Sequence, residues 1–172
     1  MKTGICIAAL FLATACGGGG GSTSNLSTSS FVVGPPAVPQ IAESVTASAN
    51  IRAGLNGVRA AEGNGARPLT YDSRLGVAAR RHANDMAANR FFDHEGSDGS
   101  SGGDRISDAG YNWIAWGENI AVGQQNESIV LQDWVDSPGH QRNNVNVRFE
   151  NFALARADSP QGRYWVLVFG AE

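Results

Sequence analysis

The chain has 172 residues, 13 basic and 16 acidic side chains and a formal net charge of −3, which is room for one domain with a sizeable core. Without a basic excess there is little to neutralise a phosphate backbone, so nucleic acid is excluded as the expected partner. Of the two cysteines, Cys6 and Cys16, the first falls in an apolar leader, so no disulfide is expected to staple the fold.

The first fifteen residues have a basic start at Lys2, an apolar run from Ile5 to Leu12 and the small residues Ala13-Thr14-Ala15. This is the pattern of a secretory signal peptide, too short to span a bilayer permanently. Cys16 and five glycines follow. The layout resembles a bacterial lipoprotein leader, in which the cysteine becomes the acylated N-terminus, although the leucine usual three places before the cysteine is here Ala13, with Leu12 one place further back. The expectation is a lipid anchor on Cys16 at the outer face of a bacterial membrane, with free secretion as the alternative. Residues 16–40, rich in Gly, Ser, Thr and Pro, cannot bury enough apolar surface to offset their ordering entropy and read as a tether.

A monomeric domain is expected over residues 41–172. Ile51, Leu55 and Val58 recur at helical spacing, and Gly63-Asn64-Gly65 with Pro68 ends that helix. Pro68 to Asp72 reads as a connector, after which Asp72 or Ser73 caps a second helix with the stripe Leu75, Ala79, His82 and Met86. His82 on that stripe is read as a packed residue whose ring nitrogens find buried partners, and not as a ligand. Phe91 and Phe92 lead out of the helix towards His94, and Gly96 to Asp104 is a polar loop by composition. Arg105 to Gly110 reads as a short helix, Trp113 to Ile120 as a strand, and Ser128 to Val135 as a helix stopped by Pro138-Gly139. Asn151 to Ala157 and Arg163 to Phe169 flank a turn at Asp158 to Gly162 and are expected to pair as an antiparallel hairpin. Helices gathered ahead of terminal strands give an α+β class, with helices covering a small antiparallel sheet.

Three polar groups stand beside chain breaks, where a side chain faces a cleft without disturbing a core. They are His94, Glu118 in Gly117-Glu118-Asn119-Ile120-Ala121, and His140 in Trp134-Val135-Asp136-Ser137-Pro138-Gly139-His140. Asn119 and Ser137 complete the candidate cleft.

The succession Leu55-Asn56-x-x-Arg59, Leu75 to Met86, Phe92-Asp93-His94, Gly117 to Ala121, Trp134-x-x-Ser137-Pro138-Gly139-His140 and Tyr164 to Gly170 resembles the CAP superfamily, closest to its bacterial, cysteine-poor branch. The superfamily takes in cysteine-rich secretory proteins, venom-allergen antigens and plant pathogenesis-related proteins. The resemblance covers roughly Ile41 to Phe169 and implies a three-layer α-β-α sandwich. It also implies a cleft that in eukaryotic members carries two histidines and two glutamates. His94 matches the first histidine and Glu118 the glutamate of the Gly-Glu-Asn motif; Ser137 and Arg163 stand where the other glutamate and histidine would be.

Three functions fit these residues. The first is a binding module at the cell envelope for an unknown small molecule, lipid or protein, which requires no cofactor. The second is a Zn2+ site on His94, His140 and Glu118, since zinc takes imidazole and carboxylate ligands, although the close helical spacings of dedicated zinc sites are missing. The third is a peptidase-like hydrolase with Glu118 as general base and a histidine partner, or with Ser137 as nucleophile. The alternative for Glu118 and Asn119 is purely structural, bonding to loop backbone and locking the cleft. If the Arg163 guanidinium approaches Glu118, it would hold the carboxylate ionised and occupied, lowering its basicity.

Overall fold

The computed structural model describes residues 49–62 and 64–172; the leader and tether expectations lie outside them. Five helices pack on a four-stranded mixed sheet. In chain order these are α1 (Ala49–Glu62), β1 (Thr70–Tyr71), α2 (Ser73–Asn89), α3 (Gly102–Asp108), β2 (Ala115–Val122), α4 (Glu127–Asp136), α5 (Pro138–Asn144), β3 (Asn151–Ser159) and β4 (Gly162–Ala171). The strand order is β1-β3-β4-β2, with β1 parallel to β3 and the other pairs antiparallel. The expected α-β-α sandwich and terminal hairpin are present.

Strand β4 explains why the sheet needs a layer on each side. Tyr164 through Ala171 are all buried: Tyr164, Val166 and Val168 face one core, and Trp165, Leu167 and Phe169 face the other. A strand buried on both faces reads as a continuous apolar run and not as an alternation. On the first face α2 brings Ala78, Ala79, Ala83 and Ala87 against Ala153, Ala155 and Ala157 of β3; small residues on both surfaces let the helix lie close to the sheet. On the second face α1 and α4 contribute Ile51, Leu55, Val130 and Trp134.

Asp72 caps α2, accepting from the Arg74 N–H. The helix ends on Arg90 in the left-handed conformation (φ 60°), whose N–H closes on the Met86 carbonyl. Helix α3 begins earlier than its expected start at Arg105, inside the polar loop, because Ser101 and Asp104 form a reciprocal capping box that satisfies the first-turn donors. Pro138 does not merely stop α4. It opens a separate helix, α5, at a position where a missing N–H costs nothing, and Ser137 serves both ends. The edge strand β2 is sealed by side chains: Asn143 Nδ2 donates to the Glu118 carbonyl and Trp134 Nε1 to the Ile120 carbonyl.

Arg59 joins the N-terminal helix to the far end of the domain. It is 1% exposed and faces no carboxylate among its bonded partners. Its guanidinium donates to the carbonyls of Arg67, Asn144, Asn146 and Phe149. Asn56 fastens the same helix to Leu69 through both backbone groups, so the Leu55-Asn56-x-x-Arg59 signature is an architectural clamp.

Candidate functional site

Glu118 lies on β2 with its side chain turned towards α2 and α3, and it is 2% exposed there. Both carboxylate oxygens are engaged. Oε1 accepts from His94 Nδ1 at 2.8 Å, and Oε2 accepts from Arg105 Nη2 at 3.0 Å. Burial pushes the carboxyl pKa up, but His94, Arg105 and His82 together outweigh that and hold it below the usual carboxylate range. Arg105, itself 2% exposed, also donates to the backbone carbonyls of Ser100 (2.7 Å) and His94 (3.0 Å). One guanidinium therefore neutralises the glutamate and fixes the loop that carries the histidine.

His94 leaves 57% of its side chain exposed. Its bond to Glu118 raises its pKa above the ordinary imidazole value, against an opposing effect of burial. A carboxylate can only accept, so Nδ1 carries the proton and Nε2, across the ring, is left to the surface. His82 is fully buried, as its place on the α2 stripe implies. It nevertheless belongs to the cluster, with Nε2 3.9 Å from Glu118 Oε1. That nitrogen donates to the Asp93 carbonyl at 2.9 Å, so Nδ1 is the bare nitrogen, and it has no hydrogen-bond partner. Burial lowers the His82 pKa.

His140 lines a different depression from His94. His140 and Ser137 line a depression of about 280 Å³ with Phe92, Ile120, Val122 and Trp134, whereas His94 lines another, of about 150 Å³, with Trp116, Glu95 and Ser101. No hydrogen bond joins His140 to Glu118 or to Ser137. The two histidines sense each other through charge: burial, then His94, lowers the His140 pKa. Asn119 is fully buried and structural, donating to the His140 carbonyl and to Asn144 Oδ1 and accepting from Asn143.

The zinc reading draws on His94, His140 and Glu118. Among the described residues no group of three or more His, Cys, Asp and Glu is placed to hold a metal ion. Arg105 already occupies one oxygen of Glu118, and its cation disfavours a second positive charge beside that carboxylate. Arg163 does not bond to Glu118. It pairs with Asp158 across the β3–β4 turn and donates to the Gln125 carbonyl. Arg105 is the residue the sequence reading missed as a site group. The available signal was the capping pair Ser101 and Asp104, which starts α3 early enough to turn Arg105 and Ile106 inward.

The fold has known relatives. A curated relative, the uncharacterized protein YkwD of Bacillus subtilis (strain 168), is 32% identical over 105 residues, covering 61% of this chain and 40% of that protein. An extracellular protein of Bacillus anthracis containing an SCP domain superposes with a TM-score of 0.63 and 25% identity, covering 72% of this chain and 39% of its own. An outer surface protein of Borrelia burgdorferi shares the fold, with a TM-score of 0.65 and 20% identity over 72% of this chain and 90% of its own. This chain thus spans about two fifths of the length of the two Bacillus relatives. The family model of the cysteine-rich secretory proteins matches residues 52–169, nearly all of the described fold, and the chain belongs to that CAP family.

Proposed function

We propose that this domain is a binding module displayed outside the cell and held at the envelope by an acylated Cys16. The observation that supports a binding role is the state of Glu118. A general base must lie within reach of the proton it takes and gains from a raised pKa; here the side chain is 2% exposed, and His94 and Arg105 on its two oxygens help hold its pKa below the usual carboxylate range. The cluster instead fixes the shape of a surface, because Arg105 and His82 together hold the carbonyls of Asp93, His94 and Ser100. The extracellular and outer-surface relatives agree with that setting.

A second reading takes the 2.8 Å Glu118–His94 bond as a carboxylate orienting an imidazole, with His94 Nε2 as base in a hydrolase. Against it, no hydroxyl or thiol among the described residues bonds to the His94 ring, and Ser137 lies in the other depression. The discriminating experiment screens peptide, ester and cell-wall substrates with wild type and His94→Gln, with and without added zinc. No turnover above background is expected. Turnover that falls about 10²-fold or more in His94→Gln, with an unchanged thermal midpoint, would make the domain a hydrolase.

A further inference from the structure

The geometry points to a carbohydrate subsite beside the His94–Glu118 cluster: a depression of about 150 Å³, walled by Trp116 and rimmed by His94, Glu95 and Ser101, that takes one sugar ring of an extracellular glycan. This rests on the binding-module reading and gives it a class of ligand.

The aromatic part of the site is built. Trp116 is half-buried and lies against the backbone of α3, where two consecutive glycines make room for it. A Cβ on Gly102 would stand 2.5 Å from the indole Cζ3, and one on Gly103 would stand 3.0 Å from Nε1. Trp113 meets Trp116 edge to face, with ring centroids 6.2 Å apart at 72°. It is held there by its own N–H, which donates to the Gly103 carbonyl and to Ser107 Oγ. Trp113 remains 39% exposed, whereas Trp134 and Trp165 are each 1% exposed. The two indoles with access to solvent therefore adjoin each other, and Trp116 of the two lines the depression.

A sugar ring offers an apolar C–H face that lies on an aromatic surface, and hydroxyls around its edge that both donate and accept. The rim matches that mixture. The Glu95 carboxylate accepts and has no hydrogen-bond partner among the described residues. His94 has Nδ1 committed to Glu118, leaving its other nitrogen for the depression, and Ser101 adds a hydroxyl. Size and openness favour a unit of a chain over an enclosed small molecule, because sites for drug-sized ligands begin at about 300 Å³. A peptide bound by strand addition would need the open edge of β2, and there the Glu118 and Ile120 carbonyls are already taken by Asn143 and Trp134.

The test titrates the full chain in mild detergent with three probes: a β-1,4-linked N-acetylglucosamine tetrasaccharide, cellotetraose and, as a control, tetra-alanine. Tryptophan emission and the indole N–H resonances are followed. Saturable changes at Trp113 and Trp116 are expected with at least one sugar, weakened tenfold or more in Trp116→Ala and in Glu95→Gln. Glu95 is an exposed loop side chain, so Glu95→Gln carries the comparison if Trp116→Ala fails to fold. Silence with both sugars, or binding undiminished in Glu95→Gln, overturns the carbohydrate assignment. Tetra-alanine moving the same indole signals overturns the ligand class and leaves the binding module standing. Cleavage of either oligosaccharide, read by chromatography, overturns the binding module itself.

Discussion

Replacing Arg105 by Met removes the one cation bonded to Glu118 while keeping an apolar side chain of similar length. The carboxylate would then keep a single partner, His94, in a position where 2% of its side chain is exposed. The carbonyls of Ser100 and His94 would also lose their donor. Breaking one side of a buried ion pair costs about 3–5 kcal/mol, which for a domain of this size is a fall in thermal midpoint on the order of 10–20 °C. Removing both charges is far less costly, because no uncompensated ion stays buried. Arg105→Met/Glu118→Gln should therefore be more stable than the sum of the single losses by at least about 1 kcal/mol, within the range of measured pair couplings. Urea unfolding of wild type, both single variants and the double variant measures this directly. Additive losses, or an Arg105→Met midpoint within about 2 °C of wild type, would refute the role given to Arg105.

Three further outcomes are expected. Burial depresses the folded pKa of His82, so its contribution is present above the unfolded value near 6.5 and is lost as pH falls through the folded pKa. His94 is raised, so its contribution is present below 6.5 and is lost as pH rises through the folded pKa; imidazole NMR titration should place His82 below 6.5 and His94 above it, and the reverse order would contradict the hydrogen-bond assignments. Arg59→Ala should destabilise by about 3 kcal/mol, since four carbonyls, two of them in buried bonds, lose a charged donor, and Arg59→Lys should recover less than half because an ammonium cannot reproduce the planar fork; both are read by urea unfolding. Cys16→Ser should leave the thermal midpoint unchanged and move the protein from membrane to soluble fractions, and an unmodified mature cysteine by mass spectrometry would remove the anchor.

The sequence carried most of the fold because its strongest patterns are local. The α2 stripe from Leu75 to Met86 and the two apolar runs around Pro160 each specify an element without help from distant residues. Helix α5 was hidden because Pro138-Gly139 reads equally as a stop for α4 or as the first turn of a new helix; the difference lies in Asn143 and Asn144 reaching β2 from across the fold. The site was half legible. His94 and Glu118 stand in recognisable motifs, and the structure joins them. Their expected third partner was His140, yet a guanidinium 13 positions before Glu118 in the chain meets the carboxylate instead. The capping pair Ser101 and Asp104 signals where α3 starts, but no spacing in the chain names Glu118 as the partner of Arg105. That contact follows from the turn of α3 against the sheet.

The Arg59 clamp also decides how the domain opens. Its bonds to Asn144, Asn146 and Phe149 span 85, 87 and 90 residues, and closing a loop of that length carries an entropic cost on the order of 4 kcal/mol. Once the first bond forms, the other two close only a few additional residues, so a single guanidinium gains three long-range bonds for essentially one closure. The converse holds on opening. The C-terminal end of α1, the segment at Arg67, the end of α5 and the approach to β3 cannot fray one at a time. They release together as a single cooperative unit, and their amides should share one opening free energy although they lie far apart in the chain.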